Sequence, residues 1–283
     1  MENCDLLVCL RTCGNVDWVL DTIDSVLWSC SPKTTRVMVA VDGVPRVARS
    51  LSAKLSDSVL VYLSNKRHGW GRGLWTLLGK SVKWAEQRLR FNHFLSIDSD
   101  TLFLSRGADA YLLSKIDNES IGLVGRRKAK NEHWSAVFRK ERGRIEQFVG
   151  KTPSTYKPGE NVQGGAMLLT RKFLNTLDAR GFFAPPLLQA GFTTMADDAL
   201  IVLWCRYCGL SVKPAGAGVV STWYISRDPR GLEKKGVKIF HPVKVRYRVP
   251  PVAHLAKRDY QRTVWEMRNY FRKLRGQKPL KFS

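Results

Sequence analysis

Apolar residues in the first hundred positions switch repeatedly between two periods. Leu6–Leu10 is a short continuous apolar run, which predicts a buried strand, and Val16, Val19, Leu20, Ile23 and Leu27 then recur at helical spacing. Arg36–Val41 (RVMVAV), rich in β-branched residues and ended by Asp42-Gly43, predicts a second strand, and Val59–Leu63 a third. Leu74, Leu77, Leu78, Val82, Ala85 and Leu89 mark a long helix, and Phe91–Ile97 a fourth strand closed by Asp98-Ser99-Asp100. Strands separated by helices imply an α/β fold whose central sheet is mostly parallel, with right-handed crossovers and helices on its flanks. Ligands of such sheets bind beyond the carboxyl ends of the strands, where Asp42, Asp98 and Asp100 fall.

The second half is less regular. Ile121–Val124 and Gly165–Thr170 read as strands, and Arg171–Leu177 and Asp198–Cys208 as helices. Residues 225–237 (ISRDPRGLEKKGV) are polar and contain Gly and Pro, which predicts a mobile loop and a candidate lid. From Lys257 to Leu274 the pattern is helical again. Tyr260, Val264, Met267, Phe271 and Leu274 share one face, and Arg258, Arg262, Arg268, Arg272 and Arg275 cover much of the rest.

Composition narrows the class. With 44% apolar and 10% aromatic residues in 283, the chain can bury a sizeable core and is not of the disordered type. No run of about 18 apolar residues is present, which excludes an ordinary transmembrane helix. The start carries Glu2 and Asp5 where a secretory signal would carry basic residues, so a cytoplasmic chain with reduced cysteines is expected. Cys205 and Cys208 form a CxxC within an apolar stretch and lack a second pair at zinc spacing, so they read as helix-borne thiols. The 47 basic and 24 acidic residues leave a net charge of +23, unevenly spread. Residues 1–63 are close to neutral, whereas 241–283 hold twelve basic and two acidic groups. Nucleic acid, an anionic membrane or an acidic glycan is the natural partner of such a surface.

The sharpest local signal is FNHFLSIDSDTLFL. In an extended segment residues i and i+2 point the same way, so Asp98 and Asp100 can face one ligand. Two carboxylates held close call for a cation or a shared proton, and a hard divalent cation takes oxygen ligands. A turn in which both aspartates bond the local backbone is the structural alternative. A second acidic pair, Asp197-Asp198, opens the apolar helix of MADDALIVLWC. One of them suits an N-cap and the other a general base. Upstream, Gly164-Gly165 in VQGGAMLLT permits close approach to a ligand, and His241 in IFHPVK is a candidate third metal ligand.

In this order the segments LLVCLRT, VAVDG, IDSD, QGGAMLL, ADDAL and FHPVK resemble the GT-A fold nucleotide-sugar glycosyltransferases, in particular the large inverting family 2. The resemblance covers residues 5–245. It implies a glycosyltransferase domain over 1–245, with a nucleotide-binding half at 1–104 and an acceptor half at 105–245, followed by a basic helical extension at 246–283. It also implies a UDP-sugar or other nucleotide-sugar donor with Mn2+ or Mg2+. By resemblance, Thr12 and Asp42 contact base and ribose, and residues 65–75, including Trp70 and Arg72, close over the nucleotide. Asp98 contacts ribose or metal, Asp100 and His241 bind metal, and Lys244 reaches the diphosphate. Asp198 matches the catalytic base. The family often has Glu-Asp where this chain has Asp197-Asp198, so which of the two is the base stays open.

The charge bears on the acceptor. Basic clusters at SNKRHGWGRG, GRRKAK, FRKERGR and the C-terminal helix lie in or near segments that hold Trp70, Trp75, Trp134, Tyr156 and Trp223. Aromatics beside Arg and Lys suit stacking on exposed bases while the cations track phosphates, although core packing explains most tryptophans equally well. DNA bearing a hydroxymethylated pyrimidine, as in viral DNA-hypermodifying glycosyltransferases of bacteriophage type, is the expected acceptor, with Gly164, Gly165, Trp70 and Trp223 on the acceptor side. A membrane-surface enzyme, its amphipathic C-terminal helix lying on anionic lipid, is the first alternative. A nucleic-acid-binding protein without catalysis is the second.

Overall fold

The computed structural model describes residues 2–69, 71–127, 131–189, 191–221, 228–243 and 257–280. The chain runs β1 (Glu2–Thr12), α1 (Val16–Ser29), β2 (Thr35–Val41), α2 (Pro45–Ser52), β3 (Val59–Leu63), α3 (Arg72–Glu86), β4 (Leu89–Asp98) and β5 (Leu102–Phe103). It continues α4 (Ala108–Leu113), β6 (Ile121–Arg127), α5 (Glu132–Val149), β7 (Val162–Thr170), α6 (Arg171–Ala179), α7 (Asp197–Tyr207), β8 (Ser211–Pro214) and β9 (Val219–Ser221). The last elements are α8 (Pro229–Lys234), β10 (Ile239–His241) and α9 (Lys257–Leu274). Seven strands form the central sheet in the order β3-β2-β1-β4-β7-β6-β8, and β5-β10-β9 form a small second sheet. Four of the six pairings in the large sheet are parallel; β7 runs antiparallel to both its neighbours. The order reverses at β1, which lies between β2 and β4, and this is where an open α/β sheet has a crevice.

Strand alternation builds the two faces. Along β1, Leu7 and Cys9 join Leu77, Leu78 and the residues of α7 in one core, while Leu6, Val8 and Leu10 pack with Val19, Ile23 and Leu51 on the other side. Arg11 follows the parity of Leu7 and Cys9, and its register partner on β4 is Asp98. The same pleat that buries the strand therefore delivers a cation beside the first aspartate of the IDSD motif.

Several expectations are revised. Part of the expected loop, Pro229–Lys234, is helix α8: Asp228 accepts a hydrogen bond from the Gly231 N–H at 2.8 Å and caps it, and Leu232 is buried. Residues 225–227 lie outside the described residues. Trp75 and Tyr156 belong to the core, Trp75 stacking on Phe183 and donating to the Leu187 carbonyl. Trp134 is half-buried against His133. The apolar face of α9 is also internal. Val264, Met267 and Phe271 are buried against Leu102, Leu104, Phe240 and Val243, at about 1.5–3 kcal/mol per side chain. Arg268, placed by the sequence pattern on the solvent side, is fully buried. Among the described residues no helix is long and apolar enough to cross a membrane.

Candidate active site

The carboxyl ends of β1, β2 and β4 surround a cavity of about 220 Å³, lined by Arg11, Thr12, Trp18, Asp42, Asp98 and Asp100 among others. At its edge Asp42 is fully engaged. Its two carboxylate oxygens accept the backbone N–H groups of His68 and Gly69 at 2.7 and 2.9 Å, tying the 65–75 segment to the end of β2. Thr12 bonds locally, its hydroxyl exchanging contacts with the Gly14 backbone. Arg72 opens α3 with its side chain outside the described residues; Trp70, Trp223 and Lys244 also lie outside them.

Asp98 ends β4, and Ser99-Asp100 form a turn closed by the Thr101 N–H donating to the Asp98 carbonyl at 3.0 Å. The two carboxylates therefore converge through a turn and not through the i, i+2 alternation of a strand. His241, the last residue of β10, completes the group: its Nε2 lies 3.3 Å from Asp100 Oδ1 and 3.8 Å from Asp98 Oδ2. One ligand atom from each of the three lies within 4.8 Å of the other two. Two hard carboxylate oxygens and an imidazole nitrogen suit Mn2+ or Mg2+.

The glycine pair expected on the acceptor side abuts these ligands. Gly165 has φ +97°, and a Cβ there would stand 2.3 Å from Cγ of His241; a Cβ on Gly164 would be 3.8 Å from Asp98 Oδ2. The missing side chain at Gly165 is what lets His241 reach the aspartates. Gly165→Ala is expected to displace the imidazole and to weaken Mn2+ binding by about tenfold, the backbone strain alone being of order 1–3 kcal/mol. Calorimetric titration with Mn2+ checks this, and unchanged affinity would refute it.

Arg11 was not anticipated as a site residue. It is buried, and its guanidinium forks between Asp197 Oδ2 at 2.6 Å and Asp98 Oδ1 at 2.9 Å. Burial opposes its charge, but the charges of Asp197 and Asp98 outweigh that and raise it above the ordinary arginine value. Burial pushes the Asp197 carboxyl up; the Arg11 charge opposes this and the Asp98 charge adds to it. The acidic pair thus divides. Asp197 is committed to Arg11, while Asp198, one residue on, is half-buried. Neither is the N-cap, which is Ala196; both lie in the first turn of α7, where carboxylates favour the positive end of the helix dipole. The one sequence signal for Arg11 is its place at the end of an otherwise apolar run, which names no partner.

No protein-family profile matches the chain, and no curated protein sequence matches it. Solved structures do. The mannosyltransferase PcManGT from Pyrobaculum calidifontis, in complex with GDP-Man and Mn2+, is similar with a TM-score of 0.50 at 14% identity, over 99% of this chain and 67% of that one. Mouse xyloside xylosyltransferase 1, in its apo form, has a TM-score of 0.48 at 13% identity, over 85% of this chain and 98% of that one. The galactosyltransferase LgtC, with donor and acceptor sugar analogs, has 0.47 at 12%, over 91% and 95%. The fold of this chain is that of the GT-A type glycosyltransferases, as expected from its motifs.

Proposed function

We propose that this protein is a metal-dependent glycosyltransferase that moves a sugar from a nucleotide-sugar donor, read as a UDP-sugar, to a hydroxyl acceptor. The convergence of Asp98, Asp100 and His241 beside a cavity at the sheet's switch point carries this reading. A divalent cation held there supplies positive charge against the diphosphate that leaves. This chain's own residues do the rest. Arg11 fixes Asp98 in place, Asp42 anchors the 65–75 segment at the nucleotide cavity, and Asp198 takes the acceptor's proton as its oxygen attacks the anomeric carbon. Lys244, Arg72, Trp70 and Trp223 keep the roles that the family resemblance implies. Asp100→Asn is expected to abolish Mn2+ binding and to lower transfer at least a hundredfold with the fold intact. Mn2+ titration beside a product assay measures both, and unchanged transfer would sink the metal site.

The acceptor read from the charge is DNA bearing a hydroxymethylpyrimidine. Its support is the net charge of +23 and the exposed Arg139, Lys140, Arg142 and Arg144 along α5. Support from the C-terminal helix is smaller than the sequence suggested, because Arg268 and Arg275 point into internal ion pairs. The membrane alternative loses the apolar face it needed, since Val264, Met267 and Phe271 are covered. The deciding experiment supplies Mn2+, a panel of UDP- and GDP-sugars, and hydroxymethylated and plain duplexes, with mass analysis of the nucleosides. A hexose-sized gain on the modified base supports the acceptor. Donor hydrolysis without a nucleoside adduct leaves the enzyme and removes DNA.

A further inference from the structure

The C-terminal helix reaches the metal site through one side chain. Arg268 on α9 is 0% exposed. Its Nη1 donates to Asp21 Oδ2 on α1 at 2.6 Å. Its Nη2 donates to the Val243 carbonyl at 3.1 Å and reaches the Ser99 carbonyl at 3.5 Å. Ser99 is the middle residue of the Asp98–Asp100 turn, and Val243 follows His241 by two. One guanidinium nitrogen therefore spans the two backbone segments that carry all three candidate ligands. One further bond ties the same segments, the Val243 N–H donating to the Asp100 carbonyl at 2.6 Å, and the Thr22 hydroxyl of α1 donates to the Ser99 carbonyl at 3.0 Å.

We infer that Arg268 is a positioning residue for the metal site, holding the Asp98–Asp100 turn and the His241–Val243 segment at the separation that lets Asp98, Asp100 and His241 share one cation. The inference rests on the reading of those three residues as metal ligands. The chemistry favours arginine at this place. A planar fork can serve a carboxylate with one nitrogen and backbone carbonyls with the other, which the single ammonium of lysine cannot do. A fixed cation beside a metal site would ordinarily repel the metal. Here buried Asp21 offsets only part of that charge, because it also accepts from Arg272 at 3.0 Å and Arg275 at 2.5 Å, and the carboxylates of Asp98 and Asp100 supply the attraction for a cation.

A plain tether of α9 to the body is the competing account, and the two differ in what a conservative variant does. Tethering needs a positive charge at Asp21, which lysine keeps. Positioning needs the second nitrogen, which lysine lacks. Arg275 is the control, since it binds the same Asp21 and has no bond to Ser99 or Val243. The test uses the full chain and reads Mn2+ affinity from the paramagnetic resonance signal of free Mn2+, with thermal melts alongside. Arg268→Lys is expected to melt near the parent and to bind Mn2+ about tenfold more weakly, as when a metal ligand loses a supporting partner. Arg275→Gln is expected to melt lower and to bind Mn2+ like the parent. Parental Mn2+ affinity in Arg268→Lys, or equal losses in both variants, would overturn the inference. If Arg268→Lys does not fold, Arg268→Met, which loses both the charge and the donors, is read beside Arg275→Gln: weaker Mn2+ binding than Arg275→Gln supports positioning, and Mn2+ affinity equal to that of Arg275→Gln overturns it. Asp100→Asn also separates the two levels. If it binds Mn2+ like the parent, the metal reading falls; if it loses Mn2+ while Arg268→Lys does not, only the positioning role falls.

Discussion

Arg11→Met should be the most destabilising single change in the site, lowering the unfolding free energy by on the order of 3–5 kcal/mol. Methionine fills much of the same volume, so packing on α7 and β4 is largely kept. What is lost is the charge between two carboxylates. Asp197 is buried and takes one arm of the Arg11 guanidinium at 2.6 Å, while Asp98 takes the other at 2.9 Å. Removing one partner of a buried ion pair leaves an uncompensated charge in a medium that solvates it poorly, and that penalty exceeds the value of the contact itself. Urea melts at neutral pH would measure the loss. The double variant Arg11→Met with Asp197→Leu should recover a good part of it, because no buried charge then remains at that position. A loss in the single variant below about 1 kcal/mol, the range of exposed pairs, would show that water reaches the triad.

The parts of the fold that were legible in the sequence are those whose burial is periodic. β1, α1, β2, α3 and β4 bury one face or both in sustained patterns, and the limits of all but β1, which runs from Glu2 to Thr12 where Leu6–Leu10 was expected, lie close to the expected ones. The eighteen-residue α5 passed as a basic cluster, because it buries only Ser135, Phe138 and Ile145 and shows no continuous apolar stripe. The short α8 was hidden by its polar composition, with Leu232 its one buried side chain. In the site, Asp98, Asp100 and His241 were legible because carboxylates and a histidine at strand ends are chemically conspicuous. Their supports were not. Arg11 and Arg268 find their carboxylates 186 and 247 residues away, and no local pattern reports a pairing made by tertiary contact alone. The same long-range pairing explains why part of the C-terminal charge, which looked like a docking surface, is spent inside the protein.

Asp198→Asn should lower the rate of sugar transfer by about 10²–10⁴-fold while leaving stability and Mn2+ binding near parental values. The asparagine has the same shape and can still occupy the first turn of α7, but it cannot take the acceptor's proton. The neighbour behaves in the opposite way. Asp197→Asn removes a negative charge facing Arg11, so it should unfold more easily, with the buried guanidinium left to Asp98 alone. The division follows from geometry. Asp197 is buried and engaged by Arg11 at 2.6 Å, so an incoming acceptor has little access to its oxygens although burial raises its proton affinity, whereas Asp198, one residue on, is half-buried. Single-turnover transfer rates and melting curves on the two variants separate these effects. If Asp197→Asn abolishes transfer at unchanged stability while Asp198→Asn transfers like the parent, the two aspartates have the reverse roles, and the Arg11 fork is then part of the machinery that sets the basicity of Asp197.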